Sequence, residues 1–379
     1  MSQNSADASA TAAAPTSAAS SAAAALDLST LGALLTSTDA LVAAPDDASK
    51  KRLARAKMLH NVLSAKQPDI TVDNVVTATS EFLNGMMEAT FPLESELVDA
   101  GCADTAQLRA LLDLLDGGAA WVGDVVTLAR AAGRLPEAAA ASPAAAPATE
   151  SSASSSSAGV AAGSADAAAL FAEACASGAP LEEVVPAAGA EVELLGADLW
   201  EALCWRRGAL RYYIVASRVK QAGEAADPDD AAAVAAAGAA AAPHAAEAEA
   251  AVGALLALLR ARCEGDGGGG NRLLRYGIFS TTHLLALAYV GELAYWRWAA
   301  GGGAADGGPA HADALKYVHR YQHVVDVLMA GCEWSTARSV ELLRHLGGVA
   351  KLRPVLAREL PAAEADAELE RLRERAAGS

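Results

Sequence analysis

Three histidines offer the most obvious chemistry in this sequence. His319 and His323 are four positions apart, and His311 lies just upstream. An i, i+4 pair on one helical face can present two imidazoles to a metal ion. A zinc-hydrolase helix carries Glu directly after its first His, whereas here Arg320 follows, then Tyr321 and Gln322. A cation beside the ligands opposes metal binding. The pattern reads as a polar helix face with Tyr317 and Tyr321 half-buried; a helical metalloprotein using His311, His319 and His323 is the alternative. No G-x-S-x-G elbow occurs. Glu94 and Glu96 read as a solvated helix start, not as an acid/base pair. Cys102, Cys175, Cys204, Cys263 and Cys332 are scattered singly. That spacing argues against disulfides and a cysteine zinc site, and fits buried thiols in a reducing cytosol. No catalytic residue, metal or cofactor is predicted.

Two segments depart from ordinary helix composition. In Asp198–Tyr213, Trp200 and Trp205 stand with Arg206 and Arg207. Trp, Tyr and Arg dominate the energetics of protein interfaces. Adjacent helical positions point about 100° apart, so one of the two arginines is expected to face a buried acid. Gly208 in mid-helix costs about 1 kcal/mol relative to Ala and predicts a helix crossing close by. In Tyr276–Trp296, Glu292 is a carboxylate in an apolar helix and needs a partner. A pairing with Arg206 or Arg207 is expected. The candidate partner-binding or structural residues are Trp205, Arg206, Arg207, Glu292, Trp296 and Trp334.

Helices must position these residues. In 71–90, Val72, Val75, Val76, Thr79, Phe82, Leu83, Met86 and Met87 recur at helical spacing. Asp104 is placed to cap a helix carrying Leu108, Leu111, Leu112 and Leu115, which Gly117-Gly118 should stop. Trp121, Val125, Leu128 and Ala129 continue the pattern to Gly133. Further helices are expected over 196–221, after Ser280 and after Ser335. Alternating strand-like runs with hairpin turns are absent, as is a Gly-rich phosphate loop after a strand. The expected fold is all-α, an irregular multi-helix bundle with long low-complexity loops.

Composition narrows the function. Of the 379 residues, 53% are hydrophobic but only 4% aromatic, so the rings mark where the core lies. They fall mostly within 82–91, 121, 171–213, 276–298 and 317–334. A net charge of -17 opposes phosphate binding, so nucleic acid and anionic membrane surfaces are not expected partners. Met1–Ser49 has no Lys or Arg and reads as neither presequence nor signal peptide. Ile278–Trp298 contains His283, Glu292 and Arg297 and lacks the unbroken apolar run of a membrane span. The chain divides into a disordered tail at 1–48, a helical part at 49–135 and a low-complexity linker at 136–165. A main helical part at 166–360 and a charged C-terminal helix or tail at 361–379 follow. The Ala-rich stretch 223–242 and the Gly-rich stretches 265–270 and 301–308 are expected to lengthen surface loops. Glu364–Arg375, with Leu369 and Leu372, fits a solvated or partner helix.

The run Leu199-Trp-Glu-Ala-Leu-Cys-Trp-Arg-Arg-Gly-Ala-Leu210 resembles the family of the Rab-interacting accessory subunit of the Mon–Ccz complex (RIMOC). The likeness continues at Gly277-Ile-Phe-Ser, His283-Leu-Leu-Ala, Gly291-Glu292 and Tyr295-Trp296, and ends in Glu333-Trp-Ser-Thr-Ala337. It covers 197–346, and more weakly 53–99. The resemblance implies a non-enzymatic adaptor that binds a late-endosomal Rab-type small GTPase, its Mon–Ccz exchange complex, or both. It further implies a role in autophagy, mitophagy and endolysosomal vesicle traffic, from the cytosol with recruitment to mitochondria or late endosomes. It carries over no residue-level site. A generic helical scaffold is the remaining alternative.

Overall fold

The computed structural model describes residues 26–42, 45–65, 71–136, 189–222, 231–265, 278–301, 308–328, 336–346 and 361–378. The described residues form eleven α-helices and no strand. The tail at 1–25, most of the linker and Trp334 lie outside them. Two compact units divide the chain, one of residues 1–89 and 120–154, the other of 90–119 and 155–379.

The first unit holds α1 (Leu28–Leu41), α2 (Asp47–Ala65), the start of α3 (Val72–Asp99) and the end of α4 (Thr105–Ala131). Its core is aliphatic with two large rings: Leu31, Leu35, Leu53, Val75, Leu83, Met86 and Val125 are buried, as are Phe82 and Trp121. The Trp121 indole would be a buried unsatisfied donor, but its Nε1 donates to Thr79 Oγ1 at 2.9 Å. Arg52–Glu88, Arg55–Glu81 and Lys57–Asp39 pair on its half-exposed surface.

Asp104 caps α4 as the sequence suggests, its Oδ1 accepting from the backbone N–H of Ala106 and Gln107. The expected stop at Gly117-Gly118 does not occur, and α4 runs through both glycines to Ala131. Two interior glycines cost about 2 kcal/mol together. Burial of Leu111, Leu114, Leu115, Trp121 and Val122 on either side outweighs that. Glu94 does not start a helix. It sits near the end of α3, buried, while Glu96 is exposed.

The second unit is built on α6 (Ala197–Gln221), α7 (Ala231–Gly265), α8 (Thr281–Ala300) and α9 (Pro309–Leu328). Helix α7 packs against both α6 and α8, and α8 packs against α9. Shorter helices complete it: α5 (Gly189–Leu195), α10 (Ala337–His345) and α11 (Ala362–Gly378). Ser280 caps α8 through its side chain, which accepts from the His283 N–H. Gly208 lies where α7 crosses: a Cβ there would stand 3.1 Å from Val252 Cγ2.

The alanine-rich stretch corrects the expected loop. Residues 231–242 open α7 as helix. Alanine has the highest intrinsic helix propensity, and a run of it carries no large side chains whose spacing would announce a packed face. The approach to α8 is close enough that a Cβ at Gly238 would stand 2.8 Å from the Trp296 carbonyl oxygen. Among the described residues no helix is long and apolar enough to cross a membrane.

Candidate partner-binding site

The α6 segment Trp200–Tyr213 turns three faces to three neighbourhoods. Trp200, Leu203, Cys204 and Leu210 are buried. Burial pushes the Cys204 thiol up to about 12. Arg206 and Arg207 point instead toward residues 90–119. Arg206 is buried; its Nε donates to Glu94 Oε2 at 2.5 Å and its Nη1 to Thr90 Oγ1 at 3.0 Å. Burial raises the Glu94 carboxyl, and the Arg206 charge opposes that rise. Arg207 Nε donates to Asp116 Oδ1 at 2.8 Å, and Arg211 holds the other oxygen of the same carboxylate. Burial would lift Asp116, but the two guanidinium groups outweigh it and hold the carboxyl below its usual range.

The remaining face carries rings. Trp205 stacks on Tyr289 with centroids 5.6 Å apart, Tyr289 on Tyr212 at 3.8 Å, and Tyr212 on Trp296 at 6.0 Å. Two residues of α6 thus alternate with two of α8 in one stack. Tyr213 meets the Tyr289 ring edge-on, and the two hydroxyls lie 2.9 Å apart. Offset and edge contacts of this kind add about 0.5–1.5 kcal/mol per pair beyond area burial. Trp296 is buried, while Trp205, Tyr212 and Tyr213 are half-buried and reach solvent.

Glu292 stands at the edge of this stack. Its Oε2 accepts from the Tyr212 hydroxyl at 2.9 Å. Burial pushes its carboxyl up to about 7; the Tyr212 hydrogen bond lowers it and the nearby Glu341 raises it further. The expected pairing with Arg206 or Arg207 is therefore wrong. Both arginines are taken by acids of α3 and α4, on another side of α6. Helical geometry correctly separates the two arginines, yet it says nothing about which acid each one meets.

Of the sequence candidates, the structure joins Trp205, Glu292 and Trp296 and sets Arg206 and Arg207 apart. Trp334 lies outside the described residues. Tyr212, Tyr213 and Tyr289 belong to the site and were not singled out. Their signal was available: a Tyr-Tyr pair one turn beyond Trp205–Gly208, and a Tyr three residues before Glu292.

The histidines form no common donor set. His311 Nε2 lies 2.7 Å from the Leu346 carbonyl oxygen, and its ring lies 5.5 Å from that of Trp298. His319 and His323 face Glu368 of α11, whose Oε1 is 3.5 Å from His319 Nε2 and 3.2 Å from His323 Nδ1. Arg371 holds the other oxygen. Burial would raise the Glu368 carboxyl; the close approach of His319, His323 and Arg371 instead holds it far below the usual range. The charged C-terminal helix thus has its partner in α9 of its own chain. Tyr317 is fully buried and Tyr321 half-buried. Among the described residues no three His, Cys, Asp or Glu side chains are placed to hold a metal ion.

Fold and site together describe an all-helical protein whose densest chemical feature is a half-buried aromatic face with an acid at its edge. Residues 267–313 match the family model described as RAB7A-interacting MON1-CCZ1 complex subunit 1. This agrees with the resemblance carried by Gly277-Ile-Phe-Ser, His283-Leu-Leu-Ala, Gly291-Glu292 and Tyr295-Trp296; the runs Leu199–Leu210 and Glu333–Ala337 lie outside the match. The match takes in the whole of α8, with Tyr289, Glu292 and Trp296. No curated protein and no solved structure matches the chain.

Proposed function

We propose that this chain is a non-enzymatic adaptor that binds a late-endosomal Rab GTPase, its Mon–Ccz exchange complex, or both. The carrying observation is that the family match falls on α8, the helix that supplies half of the aromatic stack. Half-buried Trp and Tyr side chains give large contact area at small conformational cost, the composition of interface hot spots. The adaptor acts in autophagy, mitophagy and endolysosomal traffic, from the cytosol with recruitment to mitochondria or late endosomes. The histidines that invited a metalloenzyme reading are engaged with a carbonyl oxygen and with Glu368, which favours the adaptor.

The test is retention of the purified full chain on immobilised RAB7A loaded with GDP or GTP, and on the MON1–CCZ1 complex. Saturable binding to one of them is expected, weakened at least about tenfold by Trp205→Ala, the loss of about 1.4 kcal/mol that a hot spot shows. Absence of binding to all three overturns the proposal.

A further inference from the structure

We infer that the Glu292 face is a receptor for an arginine side chain presented by a partner protein. Among the described residues, the other buried and half-buried acids that follow each hold an arginine. Glu94 holds Arg206, Asp116 holds Arg207 and Arg211, Glu201 holds Arg262, Glu249 holds Arg297 and Glu368 holds Arg371. Glu292 breaks the rule: among the described residues its hydrogen-bond partner is the neutral Tyr212 hydroxyl. The charge it feels is another carboxylate, Glu341, and Arg338 already pairs with Glu341 at 3.1 Å. A carboxylate withdrawn from water without a cation is destabilising, and burial accordingly lifts its pKa to about 7. A cation arriving from outside would remove that penalty.

The surroundings select the kind of cation. The hydroxyls of Tyr212, Tyr289 and Tyr321 all interact electrostatically with Glu292. Tyr212 lies within the four-ring stack, beside the half-buried edge of α8. A planar guanidinium can donate two parallel N–H groups to one carboxylate at the edge of the stack, whose ring faces are already taken up by one another. An ammonium is a more strongly hydrated point charge and gives up more on entering the same place. The net charge of -17 draws basic partners to the chain at long range.

The inference rests on the adaptor reading only in assigning the arginine to a partner protein. It is tested on the full chain with 13C-labelled tyrosine rings, titrated with N-acetyl-arginine amide and followed by NMR. Tyr212→Phe assigns the Tyr212 resonance by its loss. Saturable shifts of the Tyr212 and Tyr289 signals are expected. The citrulline analogue, of the same shape but uncharged, should bind at least about tenfold more weakly, as should the lysine analogue. Glu292→Gln should abolish the response. Shifts that do not saturate, an equal response to citrulline or lysine, or an unchanged response in Glu292→Gln overturn the inference. Should Glu292→Gln disturb the fold, the arginine–citrulline comparison on the unaltered chain decides by itself. A chain that binds arginine but neither RAB7A nor MON1–CCZ1 keeps the site and loses the adaptor reading. One that binds the complex but not arginine does the reverse.

Discussion

Glu94 and Glu292 are two acids on two faces that meet the same helix, and they are treated in opposite ways. Glu94 is buried against Arg206, and Thr90 shares the guanidinium, so its charge has a counter-charge and the counter-charge has a second acceptor. Glu292 has aromatic neighbours and a phenol. The first arrangement fixes how α6 meets the end of α3, because removing either partner strands the other. The second fixes nothing comparable and lets a carboxylate reach a half-exposed surface. A buried charge with its partner in the chain is architecture. A buried acid without one is held toward its neutral form until a cation reaches it.

The largest effect that separates the two is Arg206→Ala. It leaves Glu94 buried and alone, and should lower the unfolding free energy by about 3–5 kcal/mol in a denaturant titration. A loss below about 1 kcal/mol would place the pair among weak surface bridges and collapse the contrast. Glu292→Gln should act in the opposite direction. The Glu292 carboxyl is raised from 4.5 to about 7, so it stays protonated in the fold while the unfolded chain ionises. The unfolded state then binds fewer protons, and stability falls as pH rises from about 4.5 to 7, levelling off above. The penalty is on the order of 2 kcal/mol after allowing for solvent at the half-exposed site. Glu292→Gln removes this share, so it should be more stable at pH 8 and flatter between pH 5 and 7. Glu249, also lifted to about 7 by burial against the pull of Arg297, contributes to the fall that remains, as do the raised carboxyls of Glu94 and Glu201. The smallest effect is Tyr212→Phe, which removes one hydrogen bond to Glu292 and should cost about 1 kcal/mol, read as a small drop in Tm.

Legibility in the sequence followed the size and reach of side chains. Helices with large apolar residues at regular spacing were readable with their caps, as Asp104 and Ser280 show. Gly208 was readable as a crossing because a mid-helix glycine has a cost that something must offset. Residues 231–242 were not readable, since alanine repeats carry helix propensity without a hydrophobic face. The Gly117-Gly118 continuation failed for a related reason, because tertiary burial on both sides decides it. In the site, residue types told that Glu292 and the arginines were unusual, and chain order could not tell who meets whom. Glu94 and Arg206 are 112 positions apart. Tyr212 and Tyr289 lay in plain view within the two unusual segments, but only the folded crossing of α6 and α8 makes them one stack.

The alanine-rich opening of α7 carries a consequence for flexibility. Ordering a long side chain removes rotamers worth up to about 2 kcal/mol of entropy, whereas alanine has none to lose. A helix of this composition is ordered at little entropic expense, and almost nothing in it can rearrange to relieve a local mismatch. Gly238 therefore brings this helix against the backbone of α8, the helix that holds Glu292, at a separation that the smallest added side chain would close.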